Sequence, residues 1–176
     1  MSLIGTVPEL ASLLADADHV DVKAAECEST LRGFLAAAMG RRPAWMRTLF
    51  RGRAVVARLL RLRESGVPAG VPLRPEDISF TPGDKVAFFT VSAAAEDRFI
   101  VLESADTHLI GYLAVLAGPS AGGRTRFEVV TIVRYRRWTG PLYFNLIRPF
   151  HHLVVRSMTN AGSRPAPGTV ERITPK

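Results

Sequence analysis

The feature that most constrains this chain is a run of four strand-like stretches, at 85–93, 98–104, 107–117 and 124–135, followed at once by a long amphipathic stretch. The breaks between them, 94–97, 105–106 and 118–123, are short and rich in turn residues, so the four stretches are expected to pair in sequence order, as an antiparallel meander. Along the last stretch Phe127, Val129, Thr131, Val133 and Tyr135 share one face, and Arg126, Glu128 and Arg134 share the other. That alternation predicts a sheet with one buried and one wetter side.

A half-buried sheet needs a cover, and a helix over about 140–160 supplies it. At about 100° per residue from Leu142, the side chains of Leu153, Leu146, Phe150, Tyr143, Val154 and Ile147 span about 20° to 140°. Arg148, His152 and Arg156 fall between about 240° and 320°, which predicts the helix's wet face. Pro149 inside this helix removes the partner of the Asn145 carbonyl and predicts a bend there.

Upstream, Thr6-Val7-Pro8-Glu9 reads as a capping box opening a short helix over about 7–17, and His19 to Lys23 alternates like a strand. Two helices follow, at about 29–39, stopped by Gly40, and at about 43–63. On the second, Arg47, Arg51, Arg58 and Arg61 form a stripe opposite Trp45, Leu49, Val56 and Leu60. Gly66, Pro68, Gly70, Pro72, Pro75, Pro82 and Gly83 then make 64–83 an irregular connection, with room for a short strand at 77–80. The class is α+β. Residues 1–160 are expected to form a single domain and 161–176, with three prolines and no periodicity, a mobile tail.

Composition narrows the function classes. Hydrophobic residues at 47% and charged ones at 22% exclude wholesale disorder and collagen-like repeats. A net charge of +7 permits an acidic partner without requiring one. Cys27 is the sole cysteine, which rules out an internal disulfide or a cysteine metal cage and fits a reducing cytoplasm. Residues 1–18 carry no Lys or Arg, the wrong chemistry for a signal peptide, and the apolar runs at 34–39 and 112–117 fall far short of the ~18 residues of a membrane span.

The element order resembles the helix-grip arrangement of the Bet v 1 and START-related, polyketide cyclase-like superfamily. In that arrangement a curved antiparallel sheet wraps a long C-terminal helix, with two shorter helices after the first strand. A sharper likeness lies in Gly140-Pro141-Leu142-Tyr143-Phe144-Asn145-Leu146-Ile147-Arg148-Pro149-Phe150-His151-His152-Leu153-Val154-Val155-Arg156. This block resembles the hallmark of an uncharacterised bacterial family of domains of unknown function assigned to that superfamily. Asp106-Thr107-His108-Leu109 is similar to a second family motif, although the family often continues with an acid and an aromatic where this chain has Ile110-Gly111-Tyr112. Pro43-Ala44-Trp45-Met46-Arg47 resembles the start of a family helix. The resemblance implies a fold and a cavity between sheet and helix, and no reaction.

The candidate residues follow from this frame. His108 shares a strand face with Ile110 and Tyr112; with Tyr112 and His151 it could anchor a ligand, and it could also move a proton near neutral pH or simply be satisfied structurally by Asp106 or Glu103. His151 borders the apolar face of the last helix, whereas His152, about 100° away, sits among arginines. Tyr143, Ile147, Phe150 and Val154 either line a cavity or pack as ordinary core. A metal would need His108, His151 and Glu103 to converge, and no ligand spacing supports one; no cofactor is expected. The leading expectation is a module binding a hydrophobic small molecule, such as a lipid, a polyketide-like ring system or a quinone. A cyclase or dehydratase using His108 or His151 as acid or base is the alternative. A third reading is an adaptor meeting an anionic surface, lipid or nucleic acid, through Arg47, Arg51, Arg58 and Arg61; no specific nucleic-acid signature accompanies it.

Overall fold

The computed structural model describes residues 2–40, 73–106 and 108–163, and within the last helix not the side chains of 143, 146, 147 and 149–151. The expected helix at 43–63, the arginine stripe upon it and residues 164–176 therefore lie outside the described residues. In chain order the elements are α1 (Glu9–Ala15), β1 (His19–Cys27), α2 (Leu31–Gly40), β2 (Lys85–Val86), β3 (Phe89–Ala95), β4 (Phe99–Ala105), β5 (Leu109–Ala121), β6 (Arg124–Tyr135) and α3 (Thr139–Gly162). Short 3-10 turns stand at Ile4–Thr6 and Pro75–Asp77. The six strands form one antiparallel sheet in the order β1-β6-β5-β4-β3-β2. This is the α+β, helix-grip order of elements, with α2 and α3 on one side of the sheet.

Local chemistry explains the boundaries. Gly122 and Gly123, both at positive φ, close the β5–β6 hairpin as a tight two-residue turn, so β5 continues four residues past the expected end at Ala117. The expected strand at 85–93 splits in two at Ala87, which takes φ 55. Residues 78–80 are irregular rather than a strand. The capping box at Thr6 does not form: the Thr6 hydroxyl donates to the Leu3 carbonyl at 2.6 Å, and Pro8 holds the cap position of α1 without a side-chain bond. At α2 it is Thr30 that caps, its Oγ1 accepting from the Gly33 N–H at 3.1 Å.

Over its central strands β4, β5 and β6 the sheet is buried on both faces, not one. On the inner face Phe127, Val129, Val115, Leu113, Ile100 and Leu102 pack with Leu31, Phe34 and Leu35 of α2 and with Val155 of α3, and Phe34 stacks on Phe127 at 4.4 Å. On the outer face Tyr112, Ala114, Leu116, Val130 and Ile132 pack under Val7 and Leu10 of the N-terminal segment. The expected wetter face of β6 is thus a second core, and Glu128 within it is 2% exposed. Its carboxylate accepts from the Leu3 N–H at 2.7 Å, the Ser2 hydroxyl at 3.0 Å and Arg126 Nη2 at 3.1 Å, which meets the demand that a buried charge be bonded. The helix expected at 7–17 is what covers this face.

The helix α3 runs unbroken through Pro149 and is rotated relative to the expectation from its apolar stripe. Leu142 and Leu153, expected to face the sheet, are 53% and 55% exposed. Phe144, Val155, Met158 and Gly162 face inward instead, at about 160° to 220° on the same wheel. Two contacts set this rotation. Gly162 comes so close to the Phe34 ring that a Cβ would stand 2.7 Å from it, and the polar side of the helix meets polar residues of β1.

Candidate functional site

The strand β1 turns its polar side inward. Val20 and Val22 point outward at 40% and 43% exposure, while His19, Asp21 and Lys23 lie on the inner face toward α3. The helix follows this strand: Phe144 packs on His19 at 4.9 Å between ring centroids, and at the far end the Cys27 thiol lies 3.8 Å from the Gly162 carbonyl. Phe144 to Gly162 rise ~27 Å as helix and His19 to Cys27 extend ~26 Å as strand, so the two elements stay in step.

Between them sits a polar cluster. Asp21 Oδ2 accepts from Lys23 Nζ and lies 3.4 Å from His152 Nδ1. His152 in turn meets the His19 ring edge-on at 6.0 Å. Across the β1–β6 register Asp21 stands opposite Thr131, and His19 opposite Val133. The Thr131 hydroxyl is buried and has no hydrogen-bond partner. On the next strand Gly111, opposite Val133, puts no side chain on the inner face, and a Cβ there would stand in ordinary contact with the Ser104 carbonyl at 3.9 Å. Val133 and Phe144, both buried, border this cluster, Val133 opposite Gly111 and Phe144 against the His19 ring.

Electrostatics mark the cluster as cation-rich. Burial, then Arg148, His152 and Lys23, push the His19 imidazole below its ordinary range, with Asp21 pulling the other way. Burial works to raise the Asp21 carboxyl, but Lys23 and His152 outweigh it and hold it below the usual carboxylate range. Among the described residues no group of His, Cys, Asp and Glu has the arrangement of a metal site.

The residues expected from sequence are not all brought here. His108 is buried, with Nδ1 2.9 Å from Thr139 Oγ1, and its carbonyl accepts from the N–H groups of Arg136 and Arg137, so it ties the start of β5 to the start of α3. Tyr112 lies on the outer face, opposite Glu103, where burial and then the Glu103 charge push its phenol up against the pull of Arg134. Val154 is half-buried, while Val155 beside it reaches the inner core. The side chains of Tyr143, Ile147, Phe150 and His151 lie outside the described residues, as do Arg47, Arg51, Arg58 and Arg61.

His19, Asp21, Lys23, Thr131 and His152 were not among the sequence candidates. The signal available was the period-two spacing His19-x-Asp21-x-Lys23, which puts all three on one face of a strand. A separate open cleft of about 640 Å³ lies at the other end of β1, lined by Glu28, Ser29, Thr30, Asp97, Ser120 and Thr125, among others. It is acidic and hydroxyl-rich, and none of the expected site residues whose side chains are described lines it.

No helix among the described residues is long and apolar enough to cross a membrane. Among curated proteins none matches the chain. Solved structures similar to it include the Mll3558 protein from Rhizobium loti, at 11% identity over 81% of this chain and 96% of that one, TM-score 0.41. Ara h 8.0201 is similar at 9% identity over 82% and 97%, TM-score 0.37, and a START superfamily protein from Mycobacterium smegmatis at 15% over 81% and 95%, TM-score 0.35. The model of one family, described as protein of unknown function (DUF2867), matches residues 12–158, from within α1 to near the end of α3, and the chain belongs to that family.

Proposed function

We propose that the chain is a small-molecule-binding domain that holds a mainly apolar ligand between the inner face of the sheet and the first half of α3. The observation that carries this reading is an unmet hydrogen bond on the inner face, next to a position without a side chain. Gly111 adds no side chain to the inner face, and one rung away the Thr131 hydroxyl is buried without a partner. A buried hydroxyl left unbonded costs about 1–3 kcal/mol, a cost that a ligand oxygen would remove. Val133, Leu113 and Phe144 supply apolar walls beside it, in keeping with pockets that are mostly apolar with a few placed polar groups.

Native mass spectrometry of the purified full chain, followed by organic extraction, tests the reading. The expected result is a stoichiometric apolar molecule on the wild type, or saturable uptake of a neutral apolar fluorophore if the protein purifies empty. Gly111→Phe, which sets a ring on that face, should lose either one while remaining folded by circular dichroism. Wild-type protein that carries nothing and takes up no fluorophore overturns it, as does a folded Gly111→Phe variant that binds unchanged.

A further inference from the structure

We infer that the cluster of His19, Asp21, Lys23 and His152, with Thr131 beneath it, receives the carboxylate head of an amphipathic acid whose apolar part lies toward Gly111. The inference rests on the ligand-binding reading above and names the ligand's charge. Its first support is the inverted strand. Packing alone would turn Val20 and Val22 inward and leave His19, Asp21 and Lys23 in water, yet β1 does the reverse beneath a helix. Elsewhere the inner face is apolar, with Leu113, Val115, Ile100 and Leu102. Polar groups are therefore concentrated at one border of that face, where the ligand's entrance from solvent would lie.

The second support is charge. One carboxylate, Asp21, is set against Lys23 and two imidazoles, with Arg148 close enough to act on His19. Asp21 offsets Lys23, and the Arg148 guanidinium then leaves an excess of one positive charge, suited to a single negative charge. The third support is independent of charge. Thr131 stands directly opposite Asp21, so their Cβ atoms are about 5 Å apart, and its buried hydroxyl is an unused donor pointing from the same face. A carboxylate offers the acceptors that this hydroxyl, Lys23 and the imidazoles can share, whereas a neutral alcohol offers one.

Isothermal titration of the full chain with decanoate and with decanol, at low salt and pH 6.5, tests this. Wild type should bind the acid roughly tenfold more tightly than the alcohol, the size of one added charged hydrogen bond. Lys23→Gln and His152→Gln should lose that preference with alcohol affinity retained. Asp21→Asn, which removes the repelling carboxylate, should strengthen acid binding and leave alcohol binding as it was, a gain that misfolding cannot imitate. Equal affinity of wild type for acid and alcohol overturns the headgroup assignment while leaving the apolar site intact; binding of neither overturns both. Retention of the acid preference in folded Lys23→Gln and His152→Gln also overturns it.

Discussion

His152 Nδ1 lies 3.4 Å from Asp21 Oδ2, so α3 is fastened to the edge strand of the sheet by a contact that carries charge on both sides only when the imidazole is protonated. The same Asp21 oxygen is held by Lys23, and the ring of His19 faces His152. One carboxylate thus organises three cationic or titratable groups where helix and strand meet.

This arrangement sets a direction for acid sensitivity. Burial first, then Arg148, His152 and Lys23, lower the folded pKa of His19, with Asp21 opposing. Its contribution to stability is therefore complete above the ordinary value of 6.5 and is lost as pH falls from there toward the lower folded value. Asp21 is lowered as well, so what it contributes is complete above 3.8 and disappears in stronger acid. Melting curves between pH 8 and pH 5 should show the wild type losing stability, and His19→Gln losing less over the same interval. Parallel slopes for the two proteins would refute the assignment.

Glu128 makes a second prediction, on the opposite face of the sheet. Its buried carboxylate accepts from Leu3, Ser2 and Arg126 and so pins the N-terminal segment over the outer core. Glu128→Ala strands those donors, and the expected loss is about 1–3 kcal/mol. Glu128→Gln keeps the shape and should cost less. Hydrogen exchange should quicken at the amides of Leu3 and Leu10 in the alanine variant; protection equal to wild type there would show that Glu128 does not hold the segment.

Gly162 and Phe34 supply a third. An added Cβ at Gly162 would stand 2.7 to 2.9 Å from the Phe34 ring, and that ring cannot retreat because it stacks on Phe127. Gly162→Ala is expected to destabilise by about 1–3 kcal/mol through overpacking. Gly5, whose Cβ would meet nothing within 4 Å, provides the control. Similar melting temperatures for Gly162→Ala and Gly5→Ala would show that α2 and α3 are not tightly docked.

Much of the fold was legible because it depends on local alternation and punctuation. The meander from β3 to β6 followed from short turn-rich breaks, and β6 was placed at its observed ends. Where the sequence misled, long-range packing had overruled pattern. The apolar stripe of α3 at Leu142 and Leu153 faces outward because Gly162 and Phe144 dock instead. Arg126, Glu128 and Arg134 suggested a wet face, yet the N-terminal segment covers it, with Arg134 bound to Asp16 at 3.0 Å. The polar cluster escaped notice for the same reason. The place of His152 among arginines on the wheel was read as solvation, and only the position of α3 over β1 shows Asp21 as its partner.

His108 and Gly140 form the last testable junction. The His108 carbonyl accepts from Arg136 N at 2.8 Å and Arg137 N at 3.3 Å, its ring meets Thr139 at 2.9 Å, and a Cβ on Gly140 would stand 2.8 Å from that carbonyl. Because the obstacle is backbone already bonded on its other side, it cannot swing away as a side chain would. Gly140→Ala is expected to shift the start of α3 and cost more than His108→Ala. A double-mutant cycle of His108→Ala with Thr139→Val should return a coupling of about 0.5–1.5 kcal/mol, the worth of one hydrogen bond. A coupling of zero, with Gly140→Ala as stable as wild type, would mean that this corner does not position the helix. With the coupling present, His108 acts in this protein by setting where α3 begins, and through that where His152 meets Asp21.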